Sequence, residues 1–273
     1  MTDQYAVIGN PIAQSKSPLI HTMFAQACGQ DLQYGTILGV EGQFKAQLDA
    51  WIQNGGKGLN ITAPFKLAAF ESADELSQAA QVAGAVNAIK IVDGISFAEN
   101  FDGVGLVNDL TANLNCHLLG KRVLILGAGG ATRGALDPIL KANPATVVIA
   151  HRNLSPATNS GGSFRINRQV ENIEYPQLNG RAFDVIINAT SSSLFGQLPP
   201  ISAAVFAQCQ LAYDLSYGKG LTPFLALAKA SDVSQLADGV GMLVEQAAYA
   251  FEWWRGVWPD TRATITALTV PLV

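Results

Sequence analysis

Hydrophobic and polar positions in the second half of the chain alternate between short apolar runs and longer amphipathic segments. The run Val123–Leu126 predicts a buried strand, and a glycine-rich turn, Gly127–Gly130, follows it directly. Residues Thr132–Lys141 have helical spacing, and Ala145–Ala150 form a second apolar run. Three further runs, in "FDVIINAT", "LAYDLSY" and "VSQLADG", follow at intervals long enough for crossover connections. This pattern predicts a parallel sheet with helices on its faces.

The first part of the chain shows a similar alternation. Apolar runs in "YAVIGNP", at Tyr34–Leu38 and in "KGLNIT" predict strands, whereas Pro18–Cys28 and Phe44–Gln53 have helical spacing. The turn Val92-Asp93-Gly94 between apolar flanks predicts a β-hairpin. Residues Gly241–Gly256 form a strong amphipathic helix that we expect to pack on the first block. We therefore predict two α/β domains, over 1–103 and 104–240, with the C-terminal segment 241–273 joining the first.

The composition of the chain argues against several classes of binding partner. The chain has 273 residues, a net charge of −4 at pH 7 and no long basic run, which argues against nucleic acid and anionic membranes. No stretch approaches the ~20 apolar residues of a membrane span, and the start "MTDQYAVIGN" lacks the regions of a leader, so we expect a cytoplasmic protein. The sequence leaves open a monomer and a homodimer. The cysteines and histidines have no disulfide or zinc spacing, so we expect no metal site.

The glycine-rich turn favours a dinucleotide. Gly127 permits the tight turn, Gly129 lets the backbone approach a pyrophosphate, and Gly130 removes bulk beside it, while the following helix N-terminus faces the anion. The motif is incomplete, because Thr132 stands where its last glycine is expected. After the second strand, Arg152 stands without a neighbouring carboxylate, which favours the 2′-phosphate of NADP over NAD. A packing turn and a solvated surface arginine are the structural alternatives.

Polar side chains follow several predicted strands of the first block. They are Ser15 and Ser17 after the first strand, Thr62 and Lys66 after a later one, and Asn87 and Asp102 beyond it. Loops at the carboxyl ends of strands form the ligand crevice of an α/β sheet, so these groups are expected to converge on one polyhydroxylated anion. Taken singly, Lys66 would be a solvated lysine at a helix start.

These segments together resemble the shikimate dehydrogenase family. The resemblance extends from Tyr5 to about Trp258 through "GNPIAQSKSP", "NITAPFK", "GAVNA", "NFDGVG", "GAGGATRG", "NATSS", "YDLSYGKGLTPF" and "DGVGMLVEQAA". It implies an N-terminal α/β substrate domain followed by a C-terminal Rossmann-type domain that binds NADP. It also implies the reversible NADPH-dependent reduction of 3-dehydroshikimate to shikimate in aromatic amino-acid biosynthesis.

The resemblance also implies residue roles. Lys66 would donate a proton to the reacting carbonyl oxygen and Asp102 would hold its ammonium group. The implied substrate contacts are Ser15, Ser17, Thr62, Asn87, Tyr217 and Gln246. The implied cofactor contacts are Gly127, Ala128, Gly129, Gly130, Ala131, Arg152, Asn188, Thr190 and Gly239. Closure between the domains is expected, with Gly103, Gly105, Gly239 and Gly241 serving either as hinge residues or in tight packing.

Some positions depart from the family pattern. Gln14 replaces a histidine, Ala63 a valine, and Phe101 a threonine beside Asp102, and each change is expected to reshape the substrate pocket. Near Arg152, Asn153 replaces a threonine and Pro156 a basic residue, which weakens the discrimination of NADP from NAD. Three alternatives therefore stay open. The first is a dehydrogenase acting on quinate or a similar hydroxy acid with NAD or NADP, and the second is a non-catalytic module that binds nucleotide and a ring acid. The third is a dinucleotide domain attached to an unrelated substrate domain.

Overall fold

The computed structural model describes residues 2–152 and 170–273, and the chain divides into two compact units. The first unit comprises Met1–Gly105 and Val244–Thr266, and the second comprises Leu106–Leu243 and Ala267–Val273. The C-terminal segment is thus divided, although the sequence assigned all of 241–273 to the first domain. Its last residues belong to the second unit because Leu272 packs against that unit's core and its carbonyl accepts a hydrogen bond from Lys229 Nζ at 3.4 Å.

The first unit is built on a mixed six-stranded sheet with the strand order β2-β1-β3-β5-β6-β4. The strands are β1 (Asp3–Gly9), β2 (Leu32–Leu38), β3 (Gly56–Ile61), β4 (Glu75–Leu76), β5 (Ala88–Val92) and β6 (Ile95–Glu99). Strand β1 runs parallel to β2 and β3, so their carboxyl ends lie at one edge, whereas β5 runs antiparallel to β3 and β6.

Residues 2–113 contain five α-helices, of which the first two match the predicted segments. They are α1 (Ser17–Ala27), α2 (Phe44–Gln53), α3 (Lys66–Ser72), α4 (Gln78–Ala83) and α5 (Asp102–Asn108), which continues into a π-helix at Asp109–Asn113. Phe44 and Leu48 of α2 share one buried cluster with Ile8 and Leu59 of the sheet, so burial of the apolar face holds this helix in place. The predicted hairpin is confirmed, and Asp93 (φ +50°) and Gly94 (φ +82°) adopt the left-handed conformations that its two-residue turn requires.

The second unit contains a wholly parallel sheet with the order β12-β11-β10-β7-β8-β9. The strands are β7 (Arg122–Leu126), β8 (Thr146–His151), β9 (Val170–Glu174), β10 (Val185–Asn188), β11 (Leu211–Asp214) and β12 (Gln235–Asp238), and its helices include α6 (Gly130–Lys141) and α7 (Pro223–Ala230). The direction of strand addition reverses between β7 and β10, and such a switch point opens a ligand crevice at the carboxyl ends of the strands.

Both faces of this sheet are covered, as the continuous apolar runs predict. Leu124 and Leu126 pack in a cluster with Phe224 of α7, whereas Val123 points to the opposite cluster, which includes Ile139 of α6. Short 3₁₀ segments at Tyr175–Leu178, Ser192–Phe195 and Ala203–Phe206 connect the strands. The doubly covered parallel sheet was therefore predictable from the alternation of strand and helix patterns.

Two helices complete the described chain. They are α8 (Val240–Arg255) and α9 (Arg262–Leu268). Within the first unit, Ala250 and Trp254 of α8 pack against Tyr5 and Ala88, and Trp254 Nε1 donates a hydrogen bond to the Ile89 carbonyl at 3.0 Å. Among residues 2–152 and 170–273, none of the helices has the length and hydrophobicity that crossing a bilayer requires.

Candidate active site

Lys66 and Asp102 form an ion pair in the first unit. Lys66 is the first residue of α3 and Asp102 is the first residue of α5, and Lys66 Nζ lies 2.5 Å from Asp102 Oδ2. The lysine side chain is 33% exposed and the aspartate side chain 12%, so the ammonium is accessible while the carboxylate lies behind it. The pair places the lysine nitrogen beside a carboxylate, which is the contact that the family resemblance implied for these two residues.

The position of Asp102 is determined by the start of α5. The Asn100 side-chain oxygen accepts a hydrogen bond from the Asp102 backbone N–H at 3.1 Å, as an N-terminal capping residue does. The Asn100 amide donates in turn to the Ala85 carbonyl at 3.0 Å. Sequence reasoning did not assign Asn100 a role, although an asparagine just before a helix is a recognisable capping signal.

Asn87 connects the ion pair to α8. Its amide nitrogen donates to Asp102 Oδ1 at 2.9 Å and to Gln246 Oε1 at 3.2 Å. Its oxygen accepts from the Phe101 backbone N–H at 2.8 Å, which determines the orientation of the amide. The structure thus brings Lys66, Asn87, Asp102 and Gln246 together from separate parts of the chain.

The remaining predicted substrate contacts of this unit lie at the carboxyl ends of β1 and β3. Ser15 and Ser17 follow β1, and the Ser17 backbone N–H donates to Ser15 Oγ at 3.3 Å. Thr62 follows β3, and the neighbouring Ile61 N–H donates to the Asn87 carbonyl at 2.8 Å. The two serines, Thr62 and Asn87 therefore belong to one edge of the sheet.

A buried polar group that the sequence did not reveal lies next to Ser17. The Tyr34 hydroxyl donates a hydrogen bond to Asn60 Oδ1 at 2.5 Å. The His21 ring stacks on Tyr34 with the ring centroids 4.3 Å apart. Burial raises the pKa of Tyr34 well above its ordinary value and lowers the pKa of His21 to about 3, so both groups are neutral. The polar residue Asn60 within the apolar run "GLNIT" was the feature of the sequence that could have indicated a buried hydrogen-bonding group.

Phe101 lies against α8. Its ring stacks on Tyr249 at a centroid distance of 6.0 Å and packs edge-on against Trp253 at 5.7 Å. Tyr249 and Trp253 lie three and seven positions after Gln246 on α8, which is the spacing of one helix face. The aromatic substitution beside Asp102 is therefore accommodated by aromatic side chains of this helix.

The glycine turn of the second unit has the features of a dinucleotide loop. Gly127 has a φ of +98°, and a Cβ there would lie 3.0 Å from Thr190 Cγ2. A Cβ at Gly129 would meet no atom within 4 Å, so the backbone is open to a ligand at the N-terminus of α6. The helix begins at Gly130, two residues before the start that the spacing predicted at Thr132. Glycine has a low helix propensity, so its presence in the first turn gave no helix signal in the sequence.

Thr132 explains the incomplete glycine motif. Its side chain is fully buried, and its hydroxyl donates to the Gly127 carbonyl at 2.7 Å. The threonine thus holds the turn from within the helix, where the full motif has a glycine for close packing. Ala128 and Ala131, also expected at the cofactor, are half-buried beside the turn.

The other predicted cofactor contacts also lie near carboxyl ends of strands in this unit. Arg152 is exposed after β8 and contributes to a cavity of about 500 Å³ whose lining includes Tyr175 and Ile201. Asn188 is fully buried, and its side chain accepts hydrogen bonds from the backbone and hydroxyl of Thr190 at 3.2 and 2.7 Å. Asn153 and Pro156 lie outside the described residues.

Two further predicted residues belong to the second unit. A Cβ at Gly239 would lie 2.3 Å from the Leu215 carbonyl oxygen, so this glycine is required for close packing. Tyr217, expected at the substrate, is 39% exposed on the loop that follows β11. Within the described residues, no group of three or more histidine, cysteine, aspartate or glutamate side chains has the geometry of a metal site.

Comparison with known proteins then identifies the family. The model described as the shikimate dehydrogenase substrate binding domain matches residues 7–89, and that of the shikimate 5′-dehydrogenase C-terminal domain matches residues 239–269. The NADP-dependent shikimate dehydrogenase of Chromobacterium violaceum is 50% identical over 268 residues, which cover 98% of each chain. The chain belongs to the shikimate dehydrogenase family. The predicted family and fold class are therefore confirmed.

Solved structures of similar proteins agree in fold. The Ael1 enzyme from Pseudomonas putida is 54% identical with a TM-score of 0.95, and the match covers 100% of both chains. Shikimate 5-dehydrogenase from Thermus thermophilus, solved in complex with NADP(H) and shikimate, is 28% identical with a TM-score of 0.86 over 98% of both chains. The two units agree with the architecture of the family, in which an N-terminal domain binds the substrate and a C-terminal domain binds NADP.

Proposed function

We propose that this protein is an NADP-dependent shikimate dehydrogenase that reversibly reduces 3-dehydroshikimate to shikimate in aromatic amino-acid biosynthesis. The observation that carries the proposal is the contact of Lys66, Asp102, Asn87 and Gln246 in a chain 50% identical to an NADP-dependent family member. The first unit binds the substrate and the second binds the cofactor. We propose the cytoplasm as the location, since all three cysteines are free, as in reducing compartments.

The second unit fits NADP on its own geometry. Gly129 leaves its backbone open at the N-terminus of α6, where a pyrophosphate is stabilised by unpaired N–H groups and the helix dipole. The exposed guanidinium of Arg152 after β8 suits the 2′-phosphate, because it offers paired charged donors. When bound, NADPH supplies a hydride to the ketone carbon of the substrate.

Lys66 is the proposed general acid. As the ketone is reduced, negative charge develops on its oxygen, and the Lys66 ammonium stabilises this charge and donates the proton that completes the hydroxyl. In the direction of shikimate oxidation the same nitrogen receives the proton. Asp102 holds Nζ at 2.5 Å, and Asn87 fixes the other carboxylate oxygen at 2.9 Å, so the lysine is oriented before substrate binds.

The hydroxyl side chains are proposed to orient the ring. Ser15 and Ser17 donate hydrogen bonds to the substrate carboxylate, and Thr62, Asn87 and Gln246 bind its hydroxyl groups. Tyr217 is proposed as a further substrate contact. Such orientation determines which face of the ring receives the hydride.

The decisive experiment is spectrophotometric oxidation of shikimate with NADP by the parent protein and by Lys66→Met and Asp102→Asn. We expect Lys66→Met to lower kcat roughly 10²–10⁴-fold, which is the usual contribution of general acid catalysis, with a much smaller change in KM. Lys45→Met is a matched control, because Lys45 also pairs with an aspartate, Asp49, but lies on α2. It should retain full activity.

Three outcomes would contradict the proposal. Parent-like turnover by Lys66→Met would reject the assigned acid. Faster turnover of quinate than of shikimate, or a preference for NAD, would change the substrate or cofactor. Binding of shikimate and NADPH by the parent without turnover would favour the non-catalytic module.

A further inference from the structure

A buried carboxylate at the end of β11 has no part in the mechanism above. Asp214 is completely buried, and three donors surround it. Its Oδ2 accepts hydrogen bonds from Ser193 Oγ at 2.6 Å and Thr222 Oγ1 at 2.7 Å. Its Oδ1 accepts from the Ser216 backbone N–H at 3.0 Å. A buried carboxylate is costly unless it is satisfied in this way, so the cluster holds its members in one geometry.

The cluster extends to the neighbouring strand. Asn188, at the end of β10, is the direct cross-strand partner of Asp214. Its amide nitrogen donates to Ser193 Oγ at 3.2 Å, while its oxygen accepts from Thr190. Ser193 therefore joins the two strand ends through a single hydroxyl group.

These contacts hold two loops at the carboxyl edge of the sheet. Ser216 and Thr222 lie near the two ends of the loop that carries Tyr217, and both bind the Asp214 carboxylate. On the other side, Thr190 adjoins the glycine turn, since its Cγ2 would be 3.0 Å from a Cβ at Gly127. Both loops adjoin the part of the sheet where the β7–β10 switch point opens a crevice.

We infer that Asp214, Ser193 and Thr222 are positioning residues for the cofactor, which act by holding the Thr190 loop in its binding geometry against the loop that carries Tyr217. The inference rests on the proposed function, because it assigns the Thr190 loop to the NADP site, while Tyr217 remains a proposed substrate contact. It also changes the predicted role of Asn188, whose buried amide holds the loop from behind. Loss of one acceptor or donor leaves buried partners unsatisfied and lets the loops rearrange.

Direct titration of the full chain with NADPH, followed by fluorescence, tests this inference. We expect Asp214→Asn and Ser193→Ala each to raise the Kd for NADPH about tenfold, because a hydrogen bond to a charged group is lost. The KM for NADP should rise by a similar factor, with a smaller change in kcat. Thr222→Val should act in the same way, whereas Thr222→Ser keeps the hydroxyl and should stay within about twofold of the parent.

Asp184→Asn is the matched control. Asp184 immediately precedes β10 at its amino end, where it accepts hydrogen bonds from the backbone and guanidinium of Arg122, both at 2.8 Å. Its loss should lower the Tm of the protein while the Kd for NADPH stays within about twofold, because the carboxyl-edge loops are untouched.

The outcomes separate the two proposals. If the parent fails to bind NADPH, the proposed function and this inference both fail. If the parent binds but Asp214→Asn and Ser193→Ala bind equally well, only the inference fails. It also fails if Asp184→Asn raises the Kd as much as Asp214→Asn does at an equal loss of Tm. Should Asp214→Asn not fold, the comparison of Thr222→Val with Thr222→Ser decides.

Discussion

Gly105 controls the distance between α5 and α8, and Gly105→Ala tests that role. A Cβ at this position would lie 2.7 Å from the backbone nitrogen and the Cβ of Gln246, and 2.9 Å from its Cα. These atoms belong to the backbone or are attached to it, so no side-chain rotation relieves the overlap. The helix segment that carries Gln246 must therefore move.

The size of the effect follows from these distances. Ordinary contact begins at 3.4 Å, so a Cβ at 2.7 Å requires a displacement of about 0.7 Å. A movement of that size along the contact would stretch the hydrogen bond from Asn87 to Gln246 from 3.2 Å to about 3.9 Å, beyond hydrogen-bonding range. Overpacking costs roughly 1–3 kcal/mol, and the better helix propensity of alanine offsets up to ~1 kcal/mol of this.

We expect Gly105→Ala to lower the free energy of unfolding by about 1–2 kcal/mol and to raise the KM for shikimate about 2–10-fold, the equivalent of one neutral hydrogen bond. Urea unfolding and steady-state kinetics measure the two effects. Gly35→Ala is the control within the same unit, because a Cβ there meets no atom within 4 Å. In a Gln246→Ala background the KM effect of Gly105→Ala should disappear. Parent-like stability and KM in Gly105→Ala would refute the reasoning.

Three further predictions follow from the described contacts. His21 has a folded-state pKa of about 3 against 6.5 in the unfolded chain, so between these pH values only the unfolded chain gains a proton. Urea unfolding should therefore show a loss of about 1.4 kcal/mol in the free energy of unfolding per pH unit as the pH falls through this range. His21→Phe should not show this pH dependence. Arg152→Gln should raise the Kd for NADPH roughly 10–100-fold and leave that for NADH nearly unchanged, as fluorescence titration would show; equal changes for both would contradict the 2′-phosphate assignment. Trp254→Phe should lower the free energy of unfolding by about 1–3 kcal/mol, because the buried Ile89 carbonyl loses the donor that lies at 3.0 Å. Thermal or urea unfolding measures this loss, and an unchanged Tm would contradict the contribution of that hydrogen bond.

The glycines of the expected hinge illustrate why sequence patterns left two interpretations open. Gly105, Gly239 and Gly241 all lack positive φ values, and a Cβ at each would overlap Gln246, Leu215 or Asp109 within 3 Å. These glycines are thus needed for close approach of the backbone. A sequence shows that a side chain is absent, but the atom that occupies the space comes from a distant part of the chain.

The candidate active site was likewise predictable from the sequence only in part. The order of motifs indicated which loops would carry polar groups, because loops after parallel strands share one edge of a sheet. It could not indicate that Asn87 would join Asp102 to Gln246, since the two amides are 159 positions apart. Tyr34, Asn60 and Asp214 were also missed, because a polar residue in a strand pattern shows no partner until the strands are paired. Ser193 was missed because it lies in a short 3₁₀ segment whose partners come from two different strand ends.

The amino-acid sequence by itself determined the strands and helices with clear hydrophobic periodicity, the parallel sheet of the second half and the glycine turn. These depend on local periodicity and on backbone freedom at single residues, which are properties of neighbouring positions. Only the tertiary structure decided which buried polar groups meet and which glycines face a packed neighbour. Hydrogen bonds act over about 3 Å and depend on direction, so they exist only after distant segments have been brought into contact.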